Sequence, residues 1–174
     1  MSIPASQTPH TEPWLRGTHD DVPAAGRAVL HALELAQDDL EKWTEGLSDG
    51  EMHAQPLGLT SIAQQFRHIA GSIDRILTYA EGNQLSADQL AAMKAEGAGA
   101  ETSVELLVRV RESLARAARR VRALATADLS VPRSVGRKQL PTSLGGALIH
   151  VADHTQRHVG QVVTTAKVIK ALRG

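Results

Sequence analysis

Four stretches of this sequence repeat apolar residues at helical spacing, while few runs alternate with the period of a strand. The first carries Val22, Val29, Leu30, Leu33, Ala36, Leu40 and Trp43, and the second Ile62, Phe66, Ile69, Ile73, Ile76 and Leu77. The third carries Val104, Leu107, Val108, Leu114, Ala118, Val121 and Leu124, and the fourth Leu144, Leu148, Val151, Val159, Val162, Val163, Ala166 and Ile169. Residues three and four apart share one face of an α-helix, so each stretch predicts an amphipathic helix with one buried side. Aromatic residues are only 2% of the chain. A core must then be built from Leu, Ile, Val and Ala, which favours helices over sheets.

Helix punctuation falls between these stretches. Asp20 or Asp21, followed by Pro23 in the first turn, opens the first helix, which ends near Gly46. Residues 47–58, with Gly50, Pro56 and Gly58, read as a connector. Ser61 and Gln64 form a capping pattern ahead of the second helix, and Glu81, Gly82 and Asn83 terminate it. Ser86 and Gln89 repeat the pattern before a short helix to about Glu96, broken by Gly97, Ala98 and Gly99. Thr102 and Glu105 open the third long helix, whose late Arg116, Arg119, Arg120 and Arg122 suit the helix dipole. Residues 128–141, which hold Pro132, Gly136 and Pro141 beside Arg133, Arg137 and Lys138, read as a loop before a last helix from about Thr142 to Leu172. Residues 1–19 read as an extended N-terminal arm whose Trp14 and Leu15 pack on the body, and residues 20–174 as one bundle domain. The fold class is all-α, an antiparallel four-helix bundle with an additional short helix, in an up-down order that the connectors leave open.

Composition removes several function classes. At 174 residues the chain can bury roughly 70% of its unfolded surface without a staple. Nineteen Lys and Arg balance nineteen Asp and Glu, so no global field draws in nucleic acid or an anionic membrane. The Arg-rich third helix is read as a solvated face, and a nucleic-acid partner is the weakest reading. No apolar run reaches eighteen residues, and the first fourteen lack a signal-peptide pattern, so a cytoplasmic protein without a membrane partner is expected. The chain has no Cys, and a metal site must use His, Asp or Glu.

Eight His therefore become the chemically informative residues. His154 and His158 lie on one flank of the last helix, about 100° and 60° from its apolar centre. Four residues apart, their rings stand about 6 Å from each other and can converge on one ion. His150 extends the row but starts about 12 Å along the axis from His158, too far for one compact site. A third ligand should come from another helix. His68 is the one His inside the second, although it sits about 140° from that helix's apolar centre. His31 falls opposite the apolar centre of the first helix and is read as solvent-facing. His10, His19 and His53 fall in loops or termini. Elimination leaves His68, His154 and His158 as the most economical triad.

The segment Ser61-Ile-Ala-Gln-Gln-Phe-Arg-His68-Ile-Ala, together with His150-Val-Ala-Asp-His154-Thr-Gln-Arg-His158-Val-Gly-Gln161, resembles the DinB/YfiT superfamily of metal-dependent enzymes. That resemblance implies an antiparallel four-helix bundle from about Asp20 to Leu172, with a divalent metal held by His68, His154 and His158. His150 lies outside the family triad, and the alternatives for it are a further ligand, a side chain behind the ligands, or a surface His. Three neutral imidazoles leave the ion's charge uncompensated and at least one position open, the pattern of a catalytic site. Such an ion lowers the pKa of a bound water or thiol. Zinc or nickel suits imidazole best, and iron or manganese remains open.

No Asp or Glu shares the flank of the His pair: Asp153 points away, and Asp74 and Glu81 lie on the other side of the second helix. A protein carboxylate acting as general base is therefore not expected. Gln161, three residues beyond His158, is a candidate second-shell donor, with an idle surface amide as the alternative. The resemblance implies transfer of a low-molecular-weight thiol to a small electrophile, or its hydrolysis. The competing reading is a catalytically silent stress-response or binding bundle with a structural metal or none. A homodimer is expected from the habit of bundles to pair side by side and from the relatives.

Overall fold

The computed structural model describes residues 11–173. A short 3-10 turn at Pro13–Leu15 precedes α1 (Ala24–Thr44), α2 (Asp49–His53), α3 (Ile62–Ala80), α4 (Ala87–Lys94) and α5 (Ser103–Leu124). Two strands, β1 (Pro132–Val135) and β2 (Leu140–Ser143), then lead into α6 (Leu144–Leu172). The structure is mostly helical with one small antiparallel sheet.

Local chemistry sets the helix starts. The Ser61 hydroxyl accepts the Gln64 backbone N–H at 3.2 Å, and complete capping boxes at Ser86 with Gln89 and Thr102 with Glu105 open α4 and α5. Each cap satisfies amide donors that the first turn leaves unpaired. α1, α6, α3 and α5 form a closed ring of neighbours, each packing against two others. Their buried faces meet in one core that includes Leu30, Leu40, Phe66, Ile69, Ile73, Leu106, Leu148 and Val151. A Cβ at Gly26 would overlap that of Ala125, so α1 approaches the end of α5 where only hydrogen fits.

Several expectations are corrected. Residues 128–141 are not simply a loop. They contain β1 and the start of β2, which pair in the register Pro132 with Ser143 and Val135 with Leu140. Gly136 (φ 71°) and Gln139 (φ 50°) bend the tip. The hairpin is fastened to the bundle by Arg133, whose Nε donates to the Ala80 carbonyl at 2.6 Å, at the C-terminus of α3. The connector at 47–58 holds α2, opened by a capping box between Ser48 and Glu51. α1 starts after Pro23, while Asp20 and Asp21 pair with Arg27 and Arg122 instead of capping it. The described part of the arm is a turn, not an extended strand, and Trp14 (62% exposed) and Leu15 (57%) face solvent while Pro13 is buried. Residues 1–10 and His10 lie outside the described residues.

Candidate metal centre

His68 projects from the middle of α3, and His154 and His158 from adjacent turns of α6. The α3/α6 packing brings the three together. The ring centroids stand 4.3 Å apart for His68 and His158, 4.5 Å for His154 and His158, and 5.3 Å for His68 and His154. One ligand atom from each lies within 4.8 Å of the others, and the Nε2 atoms of His68 and His154 are 3.1 Å apart. Two nitrogens bound to one tetrahedral zinc would be about 3.3 Å apart, so this spacing is that of ligands sharing an ion.

Hydrogen bonds on the far side of two rings fix which nitrogen is available. His68 Nδ1 lies 2.7 Å from Glu96 Oε2, where only a donated proton is favourable, so Nε2 carries the lone pair. His158 Nδ1 donates to Gln65 Oε1 at 2.8 Å, and Gln65 Nε2 in turn donates to Gln161 Oε1 at 2.6 Å. Gln161 thus acts on His158 through Gln65. A carboxylate or carbonyl behind a ligating imidazole is the arrangement that orients metal ligands and raises their basicity. His154 Nδ1 is buried without a partner. Burial and the neighbouring His158, His68 and His150 push the His154 pKa down to about 4, and burial and His68 lower that of His158. Both rings are neutral at pH 7, as ligands must be. The donor set and the tautomers of His68 and His158 fit a divalent cation, while His154 alone has no partner behind its ring.

His150 does not join the three Nε2 atoms. Its Nδ1 lies 2.8 Å from Asp153, with its ring centroid 5.2 Å from that of His154. Glu96 is a carboxylate that the flank of the His pair does not reveal, and it stands behind His68. It lies just beyond α4, outside the two helices whose faces predict the His positions, and its Oε1 also accepts from Arg75 Nη1 at 2.5 Å. The solvent-facing placement of His31 is corrected: it is 9% exposed, covered by Thr18 and His19 of the arm. His53 Nε2 contacts the Glu101 carbonyl at 2.8 Å.

His19, His31 and Glu34 form a second group with ligand-like spacing, but its proton positions oppose a cation. Arg122 Nη2 donates to His19 Nδ1, which places the ring proton on Nε2, where it is given to Glu34 Oε1 at 2.6 Å. Both nitrogens of His19 are engaged, and a guanidinium stands beside them. This cluster fastens the arm to α1.

A cavity of about 360 Å3 opens beside His68 and His154, walled by α3, α6 and the hairpin. Arg75, Ile76 and Tyr79 line it from α3, with Leu85 and Met93 opposite. Sequence reading missed Glu96, Gln65 and Arg75. For Gln65 and Arg75 a signal existed, since they lie three residues before and seven after His68, on its side of α3.

Curated proteins show no match to the chain. The profile of the DinB superfamily matches residues 32–162, a span holding His68, His154, His158, Glu96, Gln65 and Gln161. With most of its length and the whole three-His group inside that match, the chain belongs to the DinB superfamily.

Proposed function

We propose that this protein is a metal-dependent enzyme that transfers a low-molecular-weight thiol to a small electrophile or hydrolyses that electrophile. The observation that carries the reading is the convergence of three imidazoles, two with their Nδ1 atoms held from behind, with His68 and His154 also lining a cavity. A divalent ion there, zinc or nickel before iron or manganese, supplies Lewis acidity that lowers the pKa of a water or thiol. The chain's own residues do the rest. His68, His154 and His158 would hold the ion, Glu96 and Gln65 fix the rings of His68 and His158, and Ile76, Leu85 and Met93 give the cavity an apolar wall. In the transfer, a sulfur–carbon bond forms, the bond to the leaving group breaks, and the thiol proton passes to solvent. No Cys is present, so the sulfur comes from a cosubstrate.

This reading takes the four long helices as an antiparallel bundle and the protein as a cytoplasmic homodimer, checked by light scattering. No described helix is long and apolar enough to cross a membrane. The test is thiol loss against a panel of electrophiles, with elemental analysis of untagged protein before and after chelation. The expected result is about one metal per chain and thiol loss that chelation abolishes. Metal below about a tenth per chain after incubation with zinc or nickel overturns the reading and leaves a silent bundle.

A further inference from the structure

We infer that the cavity beside the three histidines takes a substrate carrying a carboxylate, gripped by Arg75; this rests on the proposed catalytic reading of the site. Arg75 is 9% exposed, and its side chain lines the cavity that His68, His150 and His154 also line. Its Nη1 is paired with Glu96 Oε1, while the other oxygen of Glu96 holds His68 Nδ1. One carboxylate thus ties the guanidinium to the metal centre. Among the described residues the remaining guanidinium N–H groups have no acceptor. None of its nitrogens is sealed from solvent without a partner, so water completes the free donors and a ligand anion can take that water's place; the planar fork matches a carboxylate.

The surroundings select the rest of the ligand. His68, Ser72, Arg75 and Tyr79 are spaced four, three and four residues apart, so they form one stripe along α3 from the metal end of the cavity. Arg75 starts about 10 Å along the axis from His68, but a helical side chain leans toward the N-terminus, as its bond to Glu96 shows. The guanidinium is therefore drawn back toward the His68 end of the cavity. The Tyr79 hydroxyl, one turn beyond Arg75, has no partner among the described residues and offers a further donor. Ile76, Leu85, Met93 and Ala147 supply apolar wall for the body of the molecule. No carboxylate is among the described residues that line the cavity, and Glu96 is engaged by Arg75 and His68 and Asp153 by His150 and Arg157. A short acid with an electrophilic carbon fits this wall better than its neutral ester.

Benzoate and benzamide, alike in shape and different in charge, are the binding probes. They are titrated into chelator-treated protein, so that Arg75 and not a metal is read. Benzoate is expected to bind at least about tenfold more tightly than benzamide, the worth of one charge-assisted pair. Arg75→Gln should erase that preference. Arg75→Lys keeps a cation for Glu96 while losing the fork, and should reduce the preference even if Arg75→Gln does not fold. Equal affinity for the two probes, no benzoate binding, or an unchanged preference in folded Arg75→Lys overturns the inference. His154→Ala should lose zinc yet keep benzoate. A zinc-loaded protein that turns over no electrophile while benzoate still binds through Arg75 removes the catalytic reading alone. Turnover with benzoate and benzamide indistinguishable removes the carboxylate site alone.

Discussion

Glu96 has a single side chain answering to two partners, and the residue that makes room for it is a glycine. A Cβ on Gly71 would stand 2.7 Å from both Arg75 Nη1 and Glu96 Oε1. Mid-helix glycine costs about 1 kcal/mol relative to alanine, so Gly71→Ala ought to stabilise α3 if nothing else changed. Here the added methyl must displace the ion pair that orients His68. We expect Gly71→Ala to bring no gain in thermal midpoint and to weaken zinc binding measurably; a clear rise in midpoint with unchanged zinc affinity would contradict the role given to this contact. Glu96→Gln tests the same link from the other end. It keeps an acceptor for His68 but removes the charge, and should weaken zinc about tenfold or more by competition titration, the usual scale for such partners. The His triad was legible because two of its members share a helical face and His68 is the one His inside the second long helix. Glu96 was not, because helical periodicity says nothing about where a glycine-rich connector such as 97–99 lays its neighbours.

At the scale of elements, what the sequence disclosed tracks how local the deciding interaction is. The caps at Ser61, Ser86 and Thr102 act within three residues of themselves, and the helices begin there. The Ser48 and Glu51 box is equally local, yet α2 is five residues long and lies among Gly50, Pro56 and Gly58, where no apolar period marks it. The hairpin is less legible still. Its four-residue strands contain Pro132 and Pro141, and what holds it is remote: Arg133 on the Ala80 carbonyl at the end of α3. That bond places a cation where the helix dipole is negative. Arg133→Ala should cost about 1 kcal/mol and raise amide exchange in β1 and β2 well above that in α6. Uniform exchange across the molecule would mean that the hairpin is held by something else. Since Val135 and Thr142 line the cavity, a loosened hairpin should also admit water beside His154.

For the molecule as a whole, gathering the histidines between α3 and α6 costs stability, and pH exposes the cost through His154 and His158. Above pH 6.5 His154 is neutral folded and unfolded, so it adds no pH dependence. As pH falls below 6.5 the unfolded chain takes up a proton that the native ring, with its pKa near 4, refuses, and the unfolded state gains. The loss grows until about pH 4 and then levels, with His158 shifted in the same direction. Glu51, lowered to about 2 beside Arg173, adds its own acid loss only below its unfolded value of 4.5. The interval from 6.5 to 4.5 therefore belongs mainly to the histidines. Because the rings are only half buried, water screens much of the effect, and we expect chelated protein to lose on the order of 1 kcal/mol across it by denaturant titration. Replacing His154 with Ala should flatten that slope, and an equal slope in the variant would place its origin elsewhere. Zinc should raise stability at pH 7.5, by about 2.7 kcal/mol at a hundredfold excess over its dissociation constant. That gain should shrink as the solution is acidified, because protons and the metal compete for the same nitrogens. Metal and pH then act on one joint between α3 and α6, and an empty joint that costs the fold is what a site kept for binding predicts.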